Sequence, residues 1–228
     1  MNQLSSLTPI PEAPFTSTLV SIHLEFNEFS SISDLEALTS ITSLRNLLLK
    51  GNKINSIAPP SSSPPVFSQN LQHLDISYNR VSSWSFVDAL STVFPGLTSL
   101  RFTHNPIYDD PDLDTADSYL STASSTTAKG KGIAKSDEAF MLTIARFASL
   151  KTLNFSPITA SDRSDAEMFY LSRIARQLSS VPEAAEKEVL AQHRRWAELC
   201  EIYGEPAVVR QTELNPNFLE ARLIKAEL

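Results

Sequence analysis

The sequence predicts an α/β solenoid, and the prediction depends on a repeated pattern and its constant period. Four segments match L-x-x-L-x-L-x-x-N, where x is any residue and Ile or Phe can replace Leu; they begin at Leu19, Leu44, Leu71 and Leu97. Successive copies start 25, 27 and 26 residues apart, within the roughly 20–29 residues of leucine-rich repeats. The chain is therefore predicted to be a leucine-rich-repeat protein.

The apolar positions of each copy alternate, which predicts a short strand with one buried face. Stacked copies place these strands side by side as a parallel sheet on the concave side of the solenoid. A fifth copy keeps the apolar positions Leu150, Leu153 and Phe155 but has Ile158 where the asparagine is expected. We expect it to add another strand, with its apolar residues facing inward.

The asparagine that ends each full copy has a structural interpretation. The chain turns sharply after the strand, and an amide side chain can satisfy backbone groups that the turn leaves unpaired. Recurrence at one register favours this role over ligand binding or glycosylation. The predicted buried ladder consists of Asn27, Asn52, Asn79 and Asn105.

Apolar residues between the strands complete the convex side of each coil. Three-residue spacing over residues 32–41 predicts a helical or 3₁₀ segment, and Ser136 is expected to begin a helix through Phe147. Acidic and then small polar residues predict a mobile insertion at about 109–136. The repeat domain is expected to span residues 1–158.

The period becomes helical after the repeats, and residues 159–206 are expected to form a C-terminal helical cap over the apolar end of the solenoid. Capping boxes at Ser164–Glu167 and Ser180–Glu183 predict the starts of two helices. The second helix is expected to carry Cys200 as a buried thiol. Residues 207–228 are interpreted as a linker and one strand without partners.

Composition argues against several functional classes. The net charge is −7, whereas nucleic-acid binding needs a concentrated basic surface. Cys200 is the only cysteine, so an intrachain disulfide and a Cys-based zinc site are excluded, and a cytoplasmic location is expected. No apolar run reaches the length of a membrane helix. Neither a cofactor nor a metal is expected.

Few residues could support catalysis. Asp75, Ser77 and His104 lie on adjacent predicted strands and could meet as in a hydrolase. No nucleophile turn or oxyanion-binding segment accompanies them. The chain is therefore predicted to be a binding protein and not an enzyme.

The outward positions of the strands and turns form the predicted partner-binding surface. Aromatic and arginine side chains dominate binding hot spots, and mixed charge beside them suits a protein partner. The candidate residues on this concave face are Phe26, Leu48, Lys50, Asp75, Tyr78, Arg101 and His104.

The C-terminal half carries a more specific pattern. The last full repeat contains an Asn-Pro pair, and Arg-x-x-Ala-Glu-x-x-Tyr and Leu-Cys-x-x-Tyr-Gly follow later in the chain. Through these segments the chain resembles the tubulin-folding cofactor E family, also called tubulin-specific chaperone E. The segments are FTHNPI (Phe102–Ile107), ARFASLKTLN (Ala145–Asn154), SDRSDAEMFYLSRI (Ser161–Ile174) and HRRWAELCEIYGEP (His193–Pro206).

The resemblance implies the leucine-rich-repeat middle domain of such a cofactor. In the family this domain lies between a glycine-rich cytoskeleton-associated domain, to which binding of the acidic tubulin tail is attributed, and a ubiquitin-like domain. Only five glycines are present, so the glycine-rich domain is not expected within this sequence. Phe218–Leu228 is interpreted as a first strand of the ubiquitin-like domain. The implied partner is α-tubulin, with other tubulin-folding cofactors and an Arf-like GTPase as further candidates, in assembly or dissociation of the αβ-tubulin dimer. The implied location is cytoplasmic and cytoskeleton-associated.

A different class of repeat protein is the alternative: a regulatory or scaffold subunit, similar to phosphatase-regulator or spliceosomal leucine-rich proteins. Those proteins usually end in a short cap that contains Tyr-Arg, and this dipeptide does not occur in the sequence.

Overall fold

A computed structural model describes residues 3–11, 14–113, 133–208 and 210. The chain divides into two compact units, Met1–Tyr170 and Leu171–Leu228. The first unit contains the repeats, and the described part of the second unit is helical.

The first unit is built on a six-stranded sheet whose strands follow one another in chain order. The first five strands pair in parallel, whereas the sixth returns antiparallel to the fifth. The predicted parallel sheet is therefore confirmed. The strands are β1 (Ser21–His23), β2 (Asn46–Leu48), β3 (His73–Asp75), β4 (Ser99–Arg101), β5 (Thr152–Leu153) and β6 (Ser156–Pro157).

The central apolar residue of each parallel strand is in register with that of the next strand. Burial of one such aliphatic side chain stabilises the fold by about 1.5–3 kcal/mol, so the row forms the spine of the core. Its members are Ile22, Leu47, Leu74, Leu100 and Leu153, and all except Ile22 are at most 2% exposed.

The convex side of the solenoid differs from one coil to the next. The coil after β1 carries the predicted 3₁₀ segment, Ile32–Ser40, which a capping box between Ser31 and Asp34 begins. No helix lies between β2 and β3, where every residue is described, whereas the coils after β3 and β4 carry α-helices. These helices are α1 (Trp84–Val93), α2 (Pro106–Asp109) and α3 (Lys135–Arg146).

The first residues of the predicted insertion belong to the folded repeat domain. Residues 109–113 continue the ordered coil: Pro111 is buried, and its carbonyl oxygen accepts a hydrogen bond of 2.9 Å from the Trp84 indole. Lys135 Nζ lies 2.7 Å from Asp110 Oδ1, so the two ends of the segment are close together. Residues 114–132 of the predicted insertion lie outside the described residues.

A nearly buried arginine joins three helices of the first unit. Arg146 Nη1 donates a 2.7 Å hydrogen bond to Asp88 Oδ2, and its side chain is 7% exposed. The Arg146 guanidinium carbon lies 5.2 Å from the centroid of the Trp84 ring and 4.8 Å from the centroid of the Tyr170 ring. A buried cation is tolerated here because a carboxylate neutralises it and two ring faces attract it.

The start of α4 (Ala160–Ser180) covers the last repeat. Arg163 of α4 donates hydrogen bonds to the carbonyl oxygens of Ile144 and Leu150. The Ile144 carbonyl also accepts from the Phe147 backbone N–H at the end of α3, so Arg163 adds a second hydrogen bond there. Ala166 and Tyr170, one turn apart, are at most 2% exposed, so this face of α4 is part of the core of the first unit.

The cap helix begins four residues before the predicted capping box at Ser164. Thr159 and Asp162 form the actual box: Asp162 Oδ2 accepts from the Thr159 backbone N–H at 2.9 Å, and Thr159 Oγ1 accepts from the Asp162 N–H at 3.1 Å. Hydrogen bonds to Asp162 Oδ2 from the Thr159 hydroxyl, at 2.7 Å, and from the Thr159 backbone N–H hold the pKa of Asp162 below its ordinary value. Thr-x-x-Asp performs the same exchange as the Ser-x-x-Glu pattern that was sought.

In the second unit, the single helix predicted from Ser180 is broken. Ser180 is the last residue of α4, and a 3₁₀ turn, α5 (Glu186–Ala191) and α6 (Trp196–Tyr203) follow. His193 is buried, and its Nε2 lies 2.8 Å from Gln177 Oε1. Cys200 of α6 is only half-buried, so the prediction of a core thiol is wrong.

Candidate partner-binding surface on the concave side

The residue that precedes each ladder asparagine has a left-handed backbone. The φ angles are 56° at Phe26, 71° at Gly51, 56° at Tyr78 and 58° at His104. This conformation suits glycine and costs other residues about 1–2 kcal/mol each. Three of the four positions nevertheless carry a ring, and the turn directs these rings out of the sheet.

The asparagine side chains hold these turns in place. Asn79 Nδ2 donates to the carbonyl oxygens of Ile76 in its own turn and Leu49 in the preceding turn, at 3.1 and 3.0 Å. Asn79 Oδ1 accepts from the Ile54 backbone N–H at 3.0 Å. Asn52 and Asn105 make the same three kinds of contact. Each amide therefore fixes its own turn and the previous one together.

The first ladder residue has a different set of partners. Asn27 is buried, and its Nδ2 donates to the carbonyl oxygens of Leu24 and Glu25 in its own turn. Because no repeat precedes it, its Oδ1 accepts from the Leu4 backbone N–H of the N-terminal segment, at 3.3 Å.

Four side chains form a continuous row along the turns, which we call the turn ridge: exposed Phe26, Tyr78 and His104, and half-buried Lys50. Lys50 Nζ lies 5.8 Å from the Phe26 ring centroid and 5.1 Å from that of Tyr78. The Tyr78 and His104 rings stack at 4.1 Å with an interplanar angle of 23°. Phe26 and Tyr78 are about half exposed, at 50% and 49%.

Gly51 makes room for the first ring of the ridge. A Cβ atom at this position would lie 2.5 Å from Phe26 Cδ1. The glycine therefore serves its left-handed turn and also lets the Phe26 ring lie over that turn.

A cavity of about 390 Å³ opens on the concave face beside the ridge, and His23, Leu48, Arg101 and Phe155 contribute to its lining. Arg101 is the cation of this cavity, and its guanidinium carbon lies 4.1 Å from the Phe155 ring centroid. The predicted site residues Leu48 and Arg101 are half-buried here.

Asp75 does not lie exposed, as the candidate surface required, because it is 4% exposed. Its Oδ1 accepts from the Ser77 backbone N–H at 3.0 Å and from the Ser77 hydroxyl at 2.6 Å. Its Oδ2 lies 2.8 Å from Arg101 Nη1. The buried Asp75 carboxylate thus holds the Arg101 side chain in position. A partner on the concave face would contact Arg101 and not Asp75.

The possible hydrolase constellation is not assembled. Ser77 is fully buried and donates its hydroxyl hydrogen to Asp75, not to an imidazole. His104 stacks on Tyr78 at the outer edge of the turns. A nucleophile needs both an adjacent base and access to substrate, and Ser77 has neither among these contacts.

Sequence reasoning missed Phe155, which was expected inside the core. Asn154 and Phe155 both have left-handed backbones, with φ angles of 50° and 70°, and join β5 to β6 as a two-residue hairpin. Phe155 is therefore 73% exposed. The signal was the asparagine at 154 in a copy that lacks one at 158, because asparagine tolerates this conformation.

Two further absences concern the described part of the chain alone. There, no three His, Cys, Asp or Glu side chains are arranged to hold a metal ion. Over the same residues, no helix combines the length and apolar character needed to cross a membrane.

Comparisons with known proteins agree with this geometry. The family model described as Leucine Rich Repeat matches residues 70–92, which contain β3 and its turn. The tubulin-specific chaperone cofactor E-like protein of Rattus norvegicus is 27% identical over 76% of this chain and 33% of its own length. Tubulin-specific chaperone E of the same organism is 28% identical over 69% of this chain and 32% of its own length.

The chain is similar in sequence to several tubulin-specific chaperone E proteins. It spans about a third of the length of these chaperone E relatives. A solved structure, the Drosophila melanogaster SNF/U2A' complex, contains a chain with a TM-score of 0.50 and 18% identity, which covers 84% of this chain and 86% of its own. That likeness concerns the fold alone and supports the leucine-rich-repeat architecture.

Proposed function

We propose that this chain is a non-catalytic, protein-binding domain that binds α-tubulin during assembly or dissociation of the αβ-tubulin dimer. The observation that carries the proposal is the exposed turn ridge, on a chain similar in sequence to tubulin-specific chaperone E proteins. Other tubulin-folding cofactors and an Arf-like GTPase are further proposed partners, and a cytoplasmic, cytoskeleton-associated location is proposed with them.

The geometry of the ridge suits binding of a folded protein. Half-exposed aromatic side chains contribute large contact areas. Their backbone is already fixed by the asparagine ladder, so binding has to order few further groups. The proposed organisation places this surface in a repeat domain of residues 1–158, with a cap of residues 159–206. The segment 211–228, which contains the proposed first strand of a ubiquitin-like domain, lies outside the described residues.

The test is capture of purified αβ-tubulin by the immobilised chain. Weak binding is expected for intact tubulin and for tubulin cleaved at its acidic tail, because tail binding in the cofactor E family is attributed to the glycine-rich domain and not to the repeats. Tyr78→Ala with His104→Ala should weaken binding about tenfold or more, since two ring contacts are lost. Tyr203→Ala removes an exposed ring of the second unit and should leave binding within about twofold.

Failure to capture either form of tubulin would contradict the proposed function and favour the scaffold alternative. If the double substitution leaves capture of tubulin unchanged, the interface lies outside the turn ridge.

A further inference from the structure

We propose that the turn ridge binds an acidic segment on the folded body of its partner, with one partner carboxylate paired to Lys50 between the Phe26 and Tyr78 rings. The identity of the partner rests on the proposed function, whereas the chemistry of the contact rests on the ridge alone. The acidic tail of tubulin is not the proposed ligand.

The positive charge of Lys50 is unbalanced within the described part of the chain. Among the described residues no carboxylate lies within ion-pair distance of its ammonium group, whose recorded neighbours are two aromatic rings. Lys53, three residues away and in the same turn, pairs instead with Glu28. Glu25 faces His23, with 3.6 Å between Oε2 and Nδ1.

The local charge of the ridge has the opposite sign to the net charge of the chain. The chain as a whole carries −7, so its overall field favours a basic partner. On the ridge, however, the charged side chain is a lysine, and the nearby Asp75 is already occupied by Arg101. Charge complementarity at the contact therefore selects a carboxylate.

The exposed rings of the ridge favour a folded surface over a flexible acidic tail. The rings on both sides of Lys50 are half exposed. A carboxylate pairs strongly with the ammonium only if water is displaced from the rings as well. The partner segment must therefore present apolar side chains on both sides of its acid, and a tail made mainly of acidic residues does not provide them.

The experiment compares three lysine variants in binding to tail-cleaved αβ-tubulin. Lys50→Met keeps an unbranched apolar stem against the rings but removes the charge, and it should weaken binding about tenfold. Lys50→Arg keeps the charge and should bind within about threefold of the unchanged chain. Lys53→Met, the matched control from the same turn, should have an effect below about twofold.

A peptide titration tests the ridge without tubulin. The probe is the blocked peptide Ac-Glu-Leu-Glu-Leu-Glu-NH₂, and Ac-Lys-Leu-Lys-Leu-Lys-NH₂ is its charge-reversed control. The acidic peptide should shift the NMR signals of the Tyr78 ring and the Lys50 side chain, and Lys50→Met should abolish the Tyr78 shift. The basic peptide should leave both signals in place.

The outcomes separate the two proposals. If tubulin does not bind but the acidic peptide shifts the ridge signals, the proposed function fails and the ridge chemistry stands. Equal tubulin binding by Lys50→Met and the unchanged chain overturns the ridge chemistry, as does a response to the basic peptide alone. Binding lost on cleavage of the tail would overturn the choice of a folded surface.

Discussion

The four full repeats and the fifth copy share the same apolar spacing but end in different ways. In the full repeats the chain turns outward after the strand, and a buried asparagine joins its carbonyl oxygens to those of a neighbouring turn. In the fifth copy the chain folds back at Asn154 and Phe155, and β6 pairs antiparallel with β5. The apolar spacing thus determines the strand, and the position of the asparagine determines how the strand ends.

The difference has a consequence for the edge of the sheet. A solenoid that ended on a parallel strand would expose unpaired backbone groups to other chains. Here the last strand is two residues long and contains Pro157, which has no backbone N–H to donate. The hairpin of the fifth copy therefore ends the sheet with a short strand that offers few free backbone groups. The regular turns, in contrast, allow a further parallel strand to be added.

The largest expected effect separates the two kinds of asparagine. Asn79→Ala should lower the free energy of unfolding by about 1–3 kcal/mol, because buried turn carbonyls and the Ile54 N–H lose their partner. Asn154→Gly should cost less, about 1 kcal/mol, since glycine adopts the left-handed backbone without strain and water can replace the bond of half-buried Asn154 to Phe102. Urea denaturation of both variants measures the difference, and equal losses would contradict the distinction.

A smaller effect concerns alkaline pH at the hairpin. Burial raises the pKa of Tyr108 to about 12, although its hydrogen bond from Asn154 Nδ2 acts in the opposite direction. Between about pH 10 and pH 12 the unfolded chain loses this proton while the folded chain keeps it. Stability from this group is therefore complete below pH 10 and declines as pH rises through that window.

Tyr108→Phe isolates this contribution, because other groups titrate alike in both chains. The stability advantage of the unchanged chain over the variant should shrink by about 1 kcal/mol between about pH 9 and pH 11. Denaturation midpoints at the two pH values provide the measurement. A difference that stays constant would show that Tyr108 ionises as readily in the folded chain as in the unfolded one.

The sequence was sufficient to predict the repeats because each position of the copy has one physical role. The buried row of Leu47, Leu74 and Leu100 follows from alternation alone, and the 3₁₀ segment at Ile32–Ser40 follows from three-residue spacing. The outward rings of Phe26 and Tyr78 were also predicted, since they precede the asparagine at a fixed register.

The errors occurred where the structure depends on contacts between distant residues. The alternating pattern predicted that Asp75 is exposed. In the structure Asp75 is buried, with an ion pair to Arg101 and two hydrogen bonds from Ser77. Phe155 had the correct spacing for the core, and the hairpin conformation reverses its direction. A local sequence pattern does not show which residues form an ion pair across strands. It also does not show whether a strand ends in the outward turn or in a hairpin.

The most direct test of the central claim, that the turn ridge is a binding surface, is to measure the stability and the tubulin affinity of Tyr78→Asn together. Asparagine tolerates the left-handed backbone at position 78 better than tyrosine, which offsets the lost stacking on His104. We predict an unfolding free energy within about 1 kcal/mol of the unchanged chain and an affinity for αβ-tubulin at least about tenfold weaker. Unchanged affinity in this variant would contradict the claim, because Tyr78 would then be only an exposed ring on a strained turn.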